Sequence, residues 1–467
     1  MAKGDALSEQ RSSLHGLWSS RMAFVFAVTG SAVGLGNIWR FPYIAGENGG
    51  GAFVIVYLLC VFVIGVPIMM SEIMLGRRGR RNPITTMQLL GQEEGGGRQW
   101  RFVGILGVGS GFLILSFYSV IAGWAIAYVF RNAFGVFIDA DPHAVDGIYR
   151  VLTGTWWKSL AWHTVFMGMA VFVVARGVER GLERAVRILM PALLILLLML
   201  LAYSLSTGFF SEGARFLLYA DFSALTPGGV LVAMGQAFFT LSVGMGAVMA
   251  YGAYLPQQTS ITGTTLMVAA ADTLIALLAG LIIFPIVFAN GLDPALGPGL
   301  AFETLPLAFG RMPGGIVFGT LFFVLLSFAA WTSAIGIIES AVAWMVERRH
   351  LSRVTAASIS GAIVWFLGIA TVLSFNILAE FKFLKGTLFD NVEYLASNIL
   401  LPLSGLSITI FAGWVMARIS SCEELDAGPG GIYKCWHFLA RLVAPAAVIL
   451  ILVEAATGGM ISRLFAA

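Results

Sequence analysis

The sequence predicts an all-α polytopic membrane protein of eleven transmembrane helices, built as a 5+5 inverted repeat with broken helices 1 and 6 and one extra helix. Three observations carry this. Of 467 residues, 58% are hydrophobic and only 11% charged, against about 25% charged in soluble domains. Eleven apolar stretches reach or approach the roughly 20 residues that a bilayer core requires. Two of them, the first of each set of five, are interrupted by glycine and polar residues at corresponding places.

The spans fall near 22–46, 51–75, 102–130, 160–175, 186–207, 228–254, 262–290, 314–346, 355–375, 394–417 and 437–462. A polar cytoplasmic segment, 1–20, precedes a first five-helix repeat at 21–207. A second repeat follows at 228–418, and 434–467 adds helix 11 and the C-terminus. No cleavable signal peptide is expected, since the polar start runs straight into a full-length span. The basic residues set the orientation. Lys3, Arg11 and Arg21, then Arg77, Arg78, Arg80, Arg81, Arg98 and Arg101, then Arg176, Arg180, Arg184 and Arg187, then Arg348, Arg349, Arg353, Arg418 and Lys434 all fall on one side. That bias predicts a cytoplasmic N-terminus, and eleven crossings then place the C-terminus outside.

Span 1 carries Ser-Ala-Val-Gly-Leu-Gly-Asn-Ile-Trp-Arg-Phe-Pro-Tyr at 31–43, and span 6 carries Thr-Leu-Ser-Val-Gly-Met-Gly at 240–246. Irregular backbone at membrane depth survives only where protein buries it or it lines a watery cavity. Paired interruptions in corresponding halves point to a transporter's midplane site. Exposed carbonyls there suit a hard cation such as Na⁺, and half-helix N-termini suit a carboxylate. Asn37, Thr240, Ser242, Thr332 and Ser333 add neutral oxygens, and Asp272 is an acid inside an apolar stretch whose burial a bound cation would compensate. Simpler readings exist for each: glycine pairs pack helices, hydroxyls bond their own helix, Asp272 has a neighbouring hydroxyl as partner, and Pro191 makes a kink. Their coincidence in two matched halves favours a site. Cys60, Cys422 and Cys435 lack ligand spacing. No nucleophile–base or metal constellation suggests an enzyme, and the net charge of +3 gives no nucleic-acid surface.

At these residues the chain resembles the neurotransmitter:sodium symporter family (solute carrier 6-like), in its bacterial amino-acid transporter branch. The resemblance covers about 14–418. It rests on 31–43 with Glu-Asn-Gly-Gly-Gly-Ala-Phe at 47–53, Gln-Ala-Phe-Phe-Thr-Leu-Ser at 236–242, and Ala-Trp-Thr-Ser at 330–333. It implies a LeuT-type fold and Na⁺-driven symport by alternating access. It also implies two Na⁺ sites. The first takes the Ala32 carbonyl, Asn37, Thr240, Asp272 and the substrate carboxylate. The second takes the carbonyls of Gly30, Val33 and Ala329 with the hydroxyls of Thr332 and Ser333. Tyr118 would bind the substrate carboxylate, Phe239 would close over it, and Ala32, Gly34, Gly36, Thr240 and Ser333 would border it.

By the same resemblance, Arg40 and Glu393 form an outer gate, with Glu393 where Asp is common. Trp18, Tyr254 and Glu347 form an inner gate, with His15 where Arg is typical and Arg11 nearby. A histidine is mostly neutral at pH 7, which weakens inward closure. Asp272 stands where animal members tend to have Asn and need chloride, so chloride is not expected to be required. A Gly-x9-Pro element, 181–191, eases unwinding of span 5 through the proline's missing N–H. Gly34 stands where monoamine transporters place Asp, so the substrate brings its own carboxylate. The side-chain pocket of Ile114, Phe239, Ser242, Met245, Gly336 and Ile337 lacks formal charge, and an acidic or basic side chain would be left unpaired.

The expectation is therefore a Na⁺-coupled importer of neutral, hydrophobic L-amino acids in a bacterial plasma (inner) membrane, as a monomer or weak homodimer. A transporter of another small zwitterionic amino acid, a non-transporting amino-acid sensor and a channel are the alternatives. A channel wants a continuous polar pore, whereas the polar groups here cluster in one zone.

Overall fold

The computed structural model of the chain describes residues 11–294, 297–425 and 430–466. Lys3 and the rest of 1–10 lie outside them. Among the described residues, nine helices are long and apolar enough to cross a membrane: Gly51–Gly79, Arg98–Ala133, Trp156–Ala175, Val178–Leu205, Ile261–Ala289, Gly315–Arg349, Arg353–Ser374, Leu388–Val415 and Gly431–Thr457. They are spans 2–5 and 7–11. Span 1 is a bent pair, Arg21–Ala32 and Gly36–Glu47, meeting at 53°. Span 6 departs furthest from a simple helix. It is two short helices, Pro227–Thr240 and Ala247–Gly252, joined by non-helical 241–246.

Local chemistry sets these boundaries. Ser20 caps span 1 by accepting from the Ala23 N–H. Thr226 accepts from the Gly229 N–H, with Pro227 in the first turn of span 6, and Ser260 and Ser352 cap spans 7 and 9. These are oxygen caps for otherwise orphaned donors. The break in span 6 follows from left-handed backbone at Ser242, Gly244 and Gly246, with φ of 51°, 84° and 75°. Three such residues cannot continue a right-handed helix. The break in span 1 is shorter, 33–35, and resumes as a wide π turn, Gly36–Arg40. Span 5 runs helically through Pro191 after a wide turn at Val178–Glu183, so the eased unwinding expected near 181–191 takes no form beyond that turn.

Spans 3 and 8 pack together at the centre and span 1 packs on span 8. The apolar window of span 8 is 78% buried, that of span 11 only 28%. Span 11 is therefore a peripheral helix turned mostly to lipid. Spans 2 and 7 flank the breaks: span 2 touches both halves of span 6, and span 7 both halves of span 1.

Candidate functional site

The two breaks face each other, and polar side chains from four spans tie them. Asn37 and Thr240 are fully buried, as is Asp272 on span 7. Asn37 Oδ1 accepts from the Gly34 N–H at 3.1 Å. Its Nδ2 donates to Thr240 Oγ1 at 2.9 Å and to Asp272 Oδ1 at 2.8 Å. Thr240 Oγ1 donates to Asp272 Oδ2 at 2.8 Å, and the Tyr57 hydroxyl of span 2 donates to Thr240 Oγ1 at 3.3 Å. Among the described residues, no Lys, Arg or His lies within ion-pair distance of Asp272. A buried carboxylate held only by neutral donors is costly without a counter-charge. The cluster offers hard oxygen ligands of the kind an alkali cation takes.

Spans 1, 5 and 8 also come together around Gly30, Met190 and Thr332. The Thr332 hydroxyl donates to the Ala329 carbonyl at 3.0 Å. A β-carbon on Gly30 would lie 3.3 Å from Thr332 Cβ and 3.1 Å from Met190 Sδ. Ser333 points the other way, toward Gly34, so the two hydroxyls serve different neighbours.

Beside the Asn37 cluster lies a tightly packed pocket with only about 10 Å³ of free space, lined by Ala32, Gly34, Gly36, Ile114, Tyr118, Phe239, Ser242, Met245, Ser333 and Ile337. None of these is a charged residue. The Tyr118 hydroxyl accepts from the Leu35 N–H at 3.0 Å, which orients the phenol at the mouth of the span 1 break. A β-carbon on Gly34 would sit 2.5 Å from that hydroxyl, so no side chain fits there without displacing Tyr118. Gly336, expected to give the pocket room, does not line it. A β-carbon there would meet Ser31 Oγ at 2.3 Å; the missing side chain lets span 8 close on span 1. Thr240, also expected to border the substrate, does not line the pocket either; its hydroxyl belongs to the Asn37–Asp272 cluster.

Above the cavity, Phe239 lies under the Arg40 guanidinium, 4.4 Å from ring centroid to Cζ. Arg40 pairs with Glu393 at 3.4 Å, their side chains 19% and 28% exposed. Outside this lid opens a vestibule of about 510 Å³ that includes Arg40, Gln236, Lys385 and Tyr394. Below, closure is thicker. The Trp18 N–H donates to the Tyr254 carbonyl at 3.0 Å and its indole to the Tyr251 carbonyl at 3.1 Å. His15 Nε2 sits 3.0 Å from Glu347 Oε1. Arg11 goes instead to Glu93 and the Arg78 carbonyl, so Glu347 is held by His15 together with Asn82, whose backbone and side-chain N–H groups donate to it at 2.9 and 2.6 Å.

Several participants escaped the sequence reading. Glu72, buried on span 2, accepts from the Gly244 N–H and so holds the span 6 break. Glu339 accepts from the Tyr254 hydroxyl at 2.9 Å and pairs with Arg353. Both acids interrupt apolar spans, the signal that singled out Asp272. Gln236 donates to the Gly36 carbonyl at 3.0 Å; only its place within a motif marked it.

The chain matches the model of the sodium:neurotransmitter symporter family over residues 15–136 and 153–460. YhdH, an uncharacterised sodium-dependent transporter of Bacillus subtilis, is 36% identical over 93% of this chain and 96% of its own length. The sodium- and chloride-dependent taurine transporter of Bos taurus is 25% identical over 94% of this chain and 78% of its own. The crystal structure of MhsT in complex with L-phenylalanine superposes with a TM-score of 0.87 at 41% identity, over 94% of this chain and 99% of MhsT. That likeness shows the LeuT-type fold.

Proposed function

Because this chain belongs to the sodium:neurotransmitter symporter family, we propose that it imports neutral, hydrophobic L-amino acids, aliphatic or aromatic, coupled to Na⁺ by alternating access. One observation carries the substrate reading. The pocket lining contains no acid to meet an amine-only substrate and no space for one at Gly34, beside the Tyr118 hydroxyl. A substrate with its own carboxylate fits this arrangement. MhsT, solved with L-phenylalanine, lends support at 41% identity.

In this reading the first Na⁺ lies among the Ala32 carbonyl, Asn37, Thr240, Asp272 and the substrate carboxylate. The second lies among the Gly30, Val33 and Ala329 carbonyls with the Thr332 hydroxyl; Ser333, expected to join it, faces Gly34 and the pocket instead. The fixed charge of Asp272 takes over the role of chloride, so transport is chloride-independent. Arg40 with Glu393, and Trp18 with Tyr254, His15 and Glu347, close the site in turn. The repeats, 21–207 and 228–418, move against each other, while 434–467 stays outside that movement. The protein works as a monomer or weak homodimer in a bacterial plasma membrane, its N-terminus cytoplasmic and its C-terminus outside. Closure on both sides of the cavity supports a carrier rather than a continuous pore.

The test is uptake of labelled L-phenylalanine into proteoliposomes, competed by the twenty amino acids. The expected result is accumulation driven by an inward Na⁺ gradient, blocked by aliphatic and aromatic amino acids and not by glutamate or lysine. Accumulation that persists without Na⁺ would remove the symport reading. Competition by charged amino acids alone would remove the substrate class.

A further inference from the structure

Arg441 lies inside span 11, four residues past the start of its apolar stretch at 437, about 6 Å along the helix at 1.5 Å per residue. An arginine at that depth in a mostly lipid-facing helix is expensive unless its donors are met. Trp414, near the end of span 10 and 55% exposed, meets part of the need. The Arg441 guanidinium lies 4.2 Å over the Trp414 ring, and the indole N–H donates to the Arg441 carbonyl at 2.9 Å. The backbones are also close: a β-carbon on Gly413 would come within 3.0 Å of Arg441 Cα. The seam between spans 10 and 11 is thus fixed and holds the guanidinium in one place.

Further positive groups gather at the same end. Arg418 and Arg441 both act electrostatically on His437, one turn before Arg441. Arg418 and Lys434 are exposed. Among the described residues, no carboxylate lies within ion-pair distance of Arg418, Lys434 or Arg441. Helical side chains lean toward their own N-terminus, so Arg441 reaches back toward the end where Arg418 and His437 lie. Phe438, 55% exposed, adds an apolar shoulder. The result is a stacked arginine whose N–H donors have no partner among the described residues, a second cation nearby, and apolar walls open to lipid.

We propose that the span 10–span 11 seam binds the phosphodiester headgroup of an anionic phospholipid of the cytoplasmic leaflet, with Arg441 on the phosphate, Trp414 beneath the guanidinium and Arg418 adding charge. Basic pockets between membrane helices on the cytoplasmic side suit such headgroups, and guanidinium forks match phosphate oxygens. The leaflet follows from the orientation adopted under the proposed function; the ligand chemistry does not depend on the transport reading.

The test is native mass spectrometry of the whole protein released from phosphatidylcholine nanodiscs with or without phosphatidylglycerol, alongside its melting temperature. Phosphatidylglycerol should remain bound and raise the melting temperature. Arg441→Gln should lower the bound fraction about tenfold, the scale of one charge-assisted hydrogen bond, and Arg441→Lys should lose less. Trp414→Leu, which keeps the charge but removes the ring, should also release lipid, and serves if Arg441→Gln does not fold. Equal retention by wild type and both variants would overturn the site. A melting shift reproduced by inorganic phosphate in phosphatidylcholine alone would overturn the lipid as its source. Na⁺-dependent amino-acid binding should survive in Arg441→Gln; its absence from wild type would count against the transport reading and leave the lipid site standing.

Discussion

The two helix breaks differ in what holds them. At the span 1 break, side chains meet the freed backbone directly: Asn37 takes the Gly34 N–H, Tyr118 the Leu35 N–H, and Gln236 the Gly36 carbonyl. At the span 6 break, left-handed residues make the turn themselves, and side chains from other spans converge on Gly244, whose carbonyl accepts from the Ser110 hydroxyl at 3.4 Å. Glu72 takes the Gly244 N–H, and the Ser242 hydroxyl crosses to the Ser31 carbonyl at 2.9 Å. A backbone fixed by buried hydrogen bonds holds its oxygens at set distances, as selection of a small cation requires. A glycine-rich turn can change shape at low energetic cost. The difference teaches a division of labour: span 1 is suited to grip the ion, and span 6 to adapt to the substrate's side chain.

The most severe way to break this contrast is Gly34→Asp. It puts an unpaired carboxylate where the substrate's own should lie and crowds Tyr118. At about 3–5 kcal/mol for an uncompensated buried charge, amino-acid uptake should fall at least about 100-fold; near-normal uptake would show that the substrate carboxylate sits elsewhere. Next comes Asn37→Ala, which strips three partners at once. The Na⁺ concentration for half-maximal binding should rise at least about tenfold, given about 1.5–3 kcal/mol for each hydrogen bond to a charged group; an unchanged Na⁺ titration would separate this cluster from the ion. Tyr118→Phe should weaken L-phenylalanine binding by about 1.5–3 kcal/mol, read by calorimetry, while leaving the Na⁺ titration in place. The smallest effect belongs to span 6. Gly244→Ala, at φ 84° and with its β-carbon 2.7 Å from the Leu401 carbonyl, should cost about 1–2 kcal/mol of local strain. It should shift the ranking of large against small substrates more than the Na⁺ response. A uniform loss across substrates would contradict an adaptable break.

Much of the fold was legible because hydropathy and glycine placement act locally. Spans of some 20 apolar residues admit few other readings, and the structure places helices at all eleven. Span 6 was the least exact, since a window average cannot see that Ser242, Gly244 and Gly246 reverse the chain. Most of the cavity lining was legible too, from Ala32 to Ile337, as the motifs cluster it. Gly336 was not: whether a missing side chain makes a hole or a close contact depends on what faces it, here Ser31 from another span. The partner of Glu347 was equally non-local, because the folded N-terminal segment decides whether His15 or Arg11 arrives. Glu72 and Glu339 were within reach. An acid in a membrane span needs a partner wherever it stands, and that rule was applied only to Asp272.

The central claim is that Na⁺ and a substrate carboxylate meet between the two breaks. The most direct measurement compares binding of L-phenylalanine and of phenethylamine, the same molecule without its carboxylate, to the purified protein over a Na⁺ titration in chloride-free buffer. L-phenylalanine should bind with an affinity that rises with Na⁺, and phenethylamine should not bind at any Na⁺ concentration. Comparable binding of the amine, or L-phenylalanine binding indifferent to Na⁺, would contradict the account.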